Sequence, residues 1–408
     1  MEAVAGFPKR EAKAIGLIGF AHMLSHVYPL ALPPLLIPIT QSLQISTVEW
    51  GIALGVYAIT TGVLQTPAGL LIERVGGRKI LVAGLLIYSA AYFLIGWQAS
   101  SFLELALLMG LAGIGNSVFH PVDYSLISSS IAEERLGRAF SIHTFVGHVG
   151  FLAGPILSAS LEPFIGWRGA MMSIGGIGLA LTVVLIVFGG LITEGNKVKK
   201  AASVGDRLKE LLTSKPIILF FLFYMAASMA NFGVTQFSIA VFDQIYDFPR
   251  ATAVIALTAY QIATMALVLP GGLLADKTTR YDAVLLIGFG IAALMVFLAG
   301  LDFFPFWLIV VMLSIGGAMR GAVNACRDVA VRHVAVHIPV GVVFGFVSTG
   351  FLAGQAVAGP VYGWLFDNYP PHYVFFASAA FTLLAMLTVV FNTGTRREAA
   401  PVGEQADK

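Results

Sequence analysis

The residues able to do chemistry fall in two stretches of an otherwise oily chain. The first runs from Asn116 to Pro155 and carries Asn116, His120, Asp123, His143 and His148 between apolar flanks. Asn116, His120 and Asp123 stand at i, i+4 and i+7, so on one continuous helix they would share a face. The second lies about 205 residues later and carries Arg320, Asn324, Arg327 and Asp328, the first three at the same spacing. Carboxyl and imidazole groups held in an apolar interior can take up and release a proton near neutral pH. Asp123, His120 and Asp328 are therefore the expected proton-coupling residues, with a buried structural Asp as the plainer alternative. Arginine does not deprotonate in a protein, so Arg320 and Arg327 are fixed positive charges suited to an anionic solute. Arg320 sits about 12 Å along the helix from Asp328 at 1.5 Å per residue, which makes that acid a poor partner for it.

Other polar residues line up with these. His22 and His26 are at i, i+4, which is metal-ligand spacing, but a histidine pair alone does not make a metal site. They are expected to line a cavity, and no metal site is expected. Tyr224, Ser228, Asn231 and Thr235 form a polar stripe that either lines a cavity or bonds to a neighbouring helix. His143 and His148 are five apart and diverge, so packing and cavity lining are equally open for them. The expected substrate-binding set is Arg320, Asn324, Arg327, Asn116, His22, His26, Tyr224 and Asn231.

An ionised side chain at the centre of a membrane helix costs about 2.5–3.5 kcal/mol on insertion scales, so these stripes must face water or a partner. The elements that position them read as membrane spans. The chain has 408 residues, 58% hydrophobic and only 11% charged. A soluble domain carries about 25% charged residues, and a fold this size has too little interior to hide so much apolar surface. The net charge of +2 says nothing about nucleic acid, and no basic patch of that kind is present, so no nucleic-acid partner is expected. The single cysteine, Cys326, excludes a disulfide within the chain. The N-terminal segment contains acids, and the apolar run after it is too long for a signal peptide and lacks a small-residue cleavage site, so none is expected.

Twelve apolar segments are long enough to span: 14–40, 46–72, 79–97, 102–130, 138–162, 168–192, 216–243, 250–274, 281–301, 304–333, 340–367 and 372–392. Pro29, Pro33, Pro34 and Pro38 should bend the first and Pro121 the fourth. With the N-terminus in the cytoplasm, outside loops keep only Arg168 and Arg250, a strong positive-inside bias. Both termini are then cytoplasmic. The domains read as residues 1–193, a six-helix half; 194–215, a cytoplasmic linker; 216–392, a second six-helix half; and a tail, 393–408. In the linker Ser203 and Asp206 read as a helix cap, and Leu208, Leu211 and Leu212 as the apolar face of a short surface helix.

The halves repeat. Pro67-Ala68-Gly69-Leu70-Leu71-Ile72-Glu73-Arg74 matches Pro270-Gly271-Gly272-Leu273-Leu274-Ala275-Asp276-Lys277 at an offset of 203, and Ala153-Gly154-Pro155 matches Ala358-Gly359-Pro360 at 205. Internal repeats of this kind mark secondary transporters. The loop Gly69-Leu70-Leu71-Ile72-Glu73-Arg74-Val75-Gly76-Gly77-Arg78-Lys79 resembles the G-x-L-x-D-R-x-G-R-K signature of the major facilitator superfamily, with Glu73 in place of Asp and one extra glycine before Arg78. Gly150-x-x-x-Gly154-Pro155 partly resembles that superfamily's antiporter signature, although Ser158-Ala159 stands where Gly-Gly is expected. Phe119-His120-Pro121 is similar to the fourth helix of fosmidomycin-resistance-like exporters.

The resemblance implies an all-α membrane protein of twelve helices in two pseudo-symmetric halves, with a cavity lined by helices one, four, seven and ten. It also implies a cytoplasmic latch made of Gly69, Glu73, Arg74, Arg78, Gly272 and Asp276. The expected function is proton-coupled, alternating-access transport of a small, anionic organic solute across the cell membrane, by a monomer without cofactors, with export slightly favoured. A proton symporter taking up an organic acid is the runner-up, and a metal-ion exporter comes third. An enzyme would need a nucleophile–base pair or a full metal shell, and the sequence offers neither.

Overall fold

The computed structural model describes residues 7–194, 211–246, 249–301, 303–334 and 340–399. Helices and their connections account for all of these, with no strand among the described residues. The first span is α1 (Lys9–Ala31), a 3-10 turn (Pro33–Leu35) and α2 (Leu36–Leu43), interrupted where Pro33 and Pro34 cannot donate. Next come α3 (Thr47–Val75), α4 (Gly77–Gln98), α5 (Phe102–Asn116), α6 (Phe119–Ser130) and α7 (Leu136–Phe188). The second half holds α8 (Lys215–Phe232), a π turn (Gly233–Phe237), α9 (Ser238–Tyr246), α10 (Arg250–Lys277), α11 (Tyr281–Ala299), α12 (Phe306–Val334), α13 (Val340–Asn368) and α14 (Tyr373–Ala399).

Among the described residues, eleven helical stretches are long and apolar enough to cross a membrane. One of them, Arg138–Leu191, has 54 residues. At 1.5 Å per residue that is about 80 Å, far more than a hydrocarbon core of about 30 Å. It folds back at Gly166, whose φ of 68° and ψ of 170° lie outside the helical region. The linker's Ser203, Asp206 and Leu208 lie outside the described residues. Of its other leucines, Leu211 is buried and Leu212 exposed.

Local chemistry sets the helix ends. Ser46 accepts from the Glu49 amide while the Glu49 carboxylate accepts from the Ser46 amide, a reciprocal cap for α3. Ser101 caps α5 through the Glu104 amide. Arg168 donates to the carbonyls of Gly96 (3.2 Å) and Ala99 (2.7 Å) at the end of α4, where a positive charge meets the negative end of the helix dipole.

The chain forms two compact units that differ from the two sequence halves. Unit 1 is Met1–Lys200, Thr235–Gln261 and Ala356–Pro371; unit 2 is Ala201–Val234, Ile262–Gln355 and His372–Lys408. The sequence repeat is visible in their packing. In unit 1 a Cβ on Gly150 would strike the Met23 carbonyl; in unit 2 one on Gly354 would strike the Met225 carbonyl. Gly84 likewise meets Val118 as Gly288 meets Val323. Glycine at these positions lets helix backbones touch, the main source of packing energy in lipid. The end of α13 joins unit 1 by the same means: Gly51 and Gly359 each face the other's carbonyl, and Gly363 faces the Thr47 carbonyl. Asp367 finishes this contact, accepting from the Thr47 amide (3.3 Å), the Thr47 hydroxyl (2.5 Å) and the Val48 amide (3.1 Å).

Candidate binding sites

In unit 2, α12 carries the arginines and α8 faces them. Tyr224, Ala227 and Ser228 of α8, Phe289 of α11, Arg320, Asn324 and Arg327 of α12 and Phe351 of α13 line a small cavity of about 30 Å³. A single water needs about 10–15 Å³ measured this way, so the cavity takes a compact polar group and not a whole organic solute. Arg327 is neutralised: its Nε and terminal nitrogen lie 2.9 and 2.8 Å from Asp328 Oδ1, and its guanidinium lies 4.8 Å from the centre of the Tyr224 ring. The Tyr224 hydroxyl donates to the same oxygen at 3.1 Å. Arg320 is different. It donates to the Ala227 carbonyl at 2.9 Å and rests 5.7 Å from the Phe289 ring centre. Among the described residues no carboxylate pairs with it. Ser228 bonds to the Phe351 carbonyl at 2.7 Å, which ties α8 to α13.

Unit 1 gathers histidines around one acid. Asn116, His120 and Asp123 lie on one span, Phe102–Ser130, in which α5 ends at Asn116 and α6 starts at Phe119. Pro121 offers no amide to the Ser117 carbonyl, although Ser117 and Val118 keep right-handed helical dihedrals. Asn116 then reaches Thr61 at 3.5 Å, while Asp123 is wholly buried. Asp123 meets imidazoles. His22 Nδ1 lies 3.1 Å and His143 Nε2 3.2 Å from its Oδ2. The His22 and His143 rings stack at 3.8 Å, and His26 Nε2 is 3.2 Å from His22 Nε2. His120 is exposed, with its ring centre 5.8 Å from that of His22 and 6.3 Å from that of His26. His148 contacts Phe151 at 5.8 Å.

Of the residues expected from sequence, Arg320, Asn324, Arg327 and Tyr224 come together in unit 2 with Asp328 beside them. His22, His26, His120 and Asp123 come together in unit 1. Asn231 is half-buried on α8 and does not line the cavity. His143, left open between packing and lining, is one of Asp123's two partners. Only its five-residue offset from His148 was legible, and that says nothing about which helix it meets.

At the latch loop, Arg74 is exposed at the end of α3, and Gly76 turns the chain with φ +96°. The Arg78 amide donates to Glu194 Oε1 at 3.2 Å, so an acid from the far end of unit 1's chain sits at the N-terminus of α4. Sequence reading had placed Glu194 in the linker. Gly69 packs beside Pro121, Gly272 has open space around it, and Asp276 is exposed. The Glu73 side chain lies outside the described residues.

Comparison with known proteins gives one consistent picture. The sequence profile of the Major Facilitator Superfamily matches residues 15–257 and 226–407. The chain is 24% identical over 388 residues to the multidrug efflux protein YfmO of Bacillus subtilis, covering 93% of this chain and 91% of that protein. It is 25% identical over 173 residues to a protein of Escherichia coli K12 named "Probable L-galactonate transporter". That match spans 42% of this chain and 38% of the relative. Among solved structures it resembles a bacterial homolog of the human lysosomal transporter Spinster, with a TM-score of 0.76 and 15% identity over 96% and 98% of the two chains. The nucleoside transporter NupG gives a TM-score of 0.76 at 14% identity over 95% and 99%.

Proposed function

Since the chain belongs to the major facilitator superfamily and is a multi-pass membrane transporter and not an enzyme, we propose that it moves a small organic anion together with a proton. Arg320 carries the reading. It is a permanent cation on a cavity wall, and its visible partners are a carbonyl and a ring face. The flanking Asn324 and Tyr224 offer further polar contacts to a carboxylate or phosphonate. The galactonate named for one relative is a solute of this class.

Asp328 supplies the coupling. Its Oδ1 takes two donors from Arg327 and one from Tyr224, so an incoming anion competes with it for Arg327. A proton on Asp328 cancels that competition and leaves Arg327 to the anion. Proton and anion then favour each other's binding and travel together, which favours symport, the runner-up in the sequence reading. The groups that set this balance are Arg327, Tyr224 and, on the same cavity, Arg320. In this reading the carrier is a monomer in the cell membrane with both termini cytoplasmic.

The test is transport in proteoliposomes with a labelled six-carbon aldonate. Arg320→Ala should abolish counterflow. Asp328→Asn should keep counterflow and lose accumulation driven by a proton gradient. Counterflow at the wild-type rate in Arg320→Ala would remove the anion site. A second reading, export of a lipophilic aromatic, is favoured by the near full-length match to an efflux protein and by Phe223, Phe289 and Phe351 in the lining. The same vesicles would show it as proton-driven extrusion of a neutral aromatic compound that is indifferent to Arg320→Ala.

A further inference from the structure

We propose that His22 Nδ1, the Asp123 carboxylate and His143 Nε2 form a binding site for a divalent transition-metal ion of the zinc, cobalt and nickel class. The proposal goes beyond the anion cavity and does not depend on it. Three helices converge here: α1 brings His22, α6 brings Asp123 and α7 brings His143. The three candidate ligand atoms all lie within 4.8 Å of one another, and all three residues are buried. Two edges of this triangle measure 3.1 and 3.2 Å. Bonds of about 2.0–2.1 Å in tetrahedral geometry set ligand atoms about 3.3 Å apart. These two edges need shifts of a few tenths of an ångström to close around an ion, and the third, which is within 4.8 Å, must come to the same spacing.

The hydrogen-bond pattern points the same way. His143 Nε2 is hydrogen-bonded to Asp123, as in an ordinary buried acid held by an imidazole. His22 Nδ1 is not. It approaches Asp123 Oδ2 off the line of a ring N–H and has no hydrogen-bond partner, although His22 is only 4% exposed. Its other nitrogen meets His26 Nε2 at 3.2 Å. Either ring can donate across this contact, and an ion bound at Nδ1 would leave the His22 proton on Nε2, facing His26. A cation bound to His22 Nδ1 and Asp123 Oδ2 would give the buried, unpartnered Nδ1 a bond. Asp123 Oδ1 is also buried without a partner, a second donor atom left over.

The contact with His26 has the form that orients a metal-bound imidazole, where the non-ligating nitrogen is held by a neighbour. Two imidazoles and one carboxylate suit borderline divalent ions. Calcium and magnesium take oxygen ligands, and copper(I) prefers sulfur. Three protein ligands leave a coordination position open, so the ion can enter and leave, as a transported or coupled ion must. Exposed His120, in ring contact with His22 and His26, marks the side from which it arrives.

The experiment uses full-length, tag-free protein in nanodiscs, stripped with a chelator and titrated with Co2+. Saturable one-to-one binding is expected, with a visible absorption band of tetrahedral cobalt that Zn2+ abolishes. His143→Ala and Asp123→Asn should each weaken binding at least tenfold, whereas His148→Ala, on the same helix but outside the ligand set, should bind as wild type. Circular dichroism and the unfolding midpoint of each variant report its fold. No saturable binding by wild type overturns the proposal whatever the variants do. Equal affinity in folded His143→Ala and Asp123→Asn overturns it as well. Neither result touches the Arg320 cavity, whose test reads aldonate counterflow.

Discussion

Replacing Asp367 by alanine should open two particular amides and leave their neighbours alone. Thr47 and Val48 are the first two residues of α3, so their N–H groups have no acceptor within the helix. Both donate to Asp367, at 3.3 and 3.1 Å. Hydrogen bonds to a charged acceptor contribute about 1.5–3 kcal/mol when sheltered. Asp367 is exposed, and solvent screening reduces this to about 1–1.5 kcal/mol. Under equilibrium exchange that predicts hydrogen–deuterium exchange about 5- to 13-fold faster at Thr47 and Val48. Glu49 and Trp50 are the internal control, since their amides bond to the Ser46 side chain and carbonyl, both at 3.1 Å. Mass spectrometry with residue-level fragmentation separates the four. Unchanged exchange at Thr47 and Val48, or equal acceleration at Glu49 and Trp50, would refute the claim that Asp367 is what holds this helix end.

Arg320→Lys keeps the charge but loses the planar fork, so it should weaken an identified anion about tenfold or more, about 1.4 kcal/mol, and Ala should weaken it further; calorimetry giving one affinity for all three forms would remove Arg320 from the site. Gly150→Val and Gly354→Val should each lower stability by about 1–3 kcal/mol through overpacking, read as a fall in unfolding midpoint, and the two losses should be similar because both glycines face a helix carbonyl at repeat-related positions. Glu73→Gln and Asp276→Asn should both raise the inward-facing fraction if the duplicated acid acts as a latch, and thiol labelling from the two membrane faces that is unchanged in both would dismiss it.

The spans, their breaks at proline and the internal repeat were legible because each is a local property: apolar length, a missing amide, an offset in the sequence. That Arg320, Asn324 and Arg327 share a face was legible for the same reason. The arginines sit on one helix, and their spacing shows that Arg327 lies beside Asp328 and Arg320 does not. What sequence could not supply was any pairing across helices. The sequence offered no partner for a buried Asp123; the fold brings His22 and His143 to it, from 101 residues before and 20 residues after. Glu194 at the start of α4 and Asp367 at the start of α3 are invisible for the same reason, since each partners a helix end 116 or 320 residues away. Helix periodicity says which residues share a face and is silent on what that face meets.

Gly166 has a consequence for how the protein enters the membrane. The fold-back within Arg138–Leu191 is made at that single non-helical residue, with Pro163 just before it and Phe164 and Ile165 exposed at 86% and 48%. A connection this short has no slack, so neither arm can stay outside the bilayer while the other lies across it. The two arms must be released into lipid as one hairpin, and the insertion machinery has to accommodate both before either settles. Charges near the bend therefore steer the pair jointly: basic residues added around Gly166 can delay the hairpin or block it, but cannot invert one arm alone.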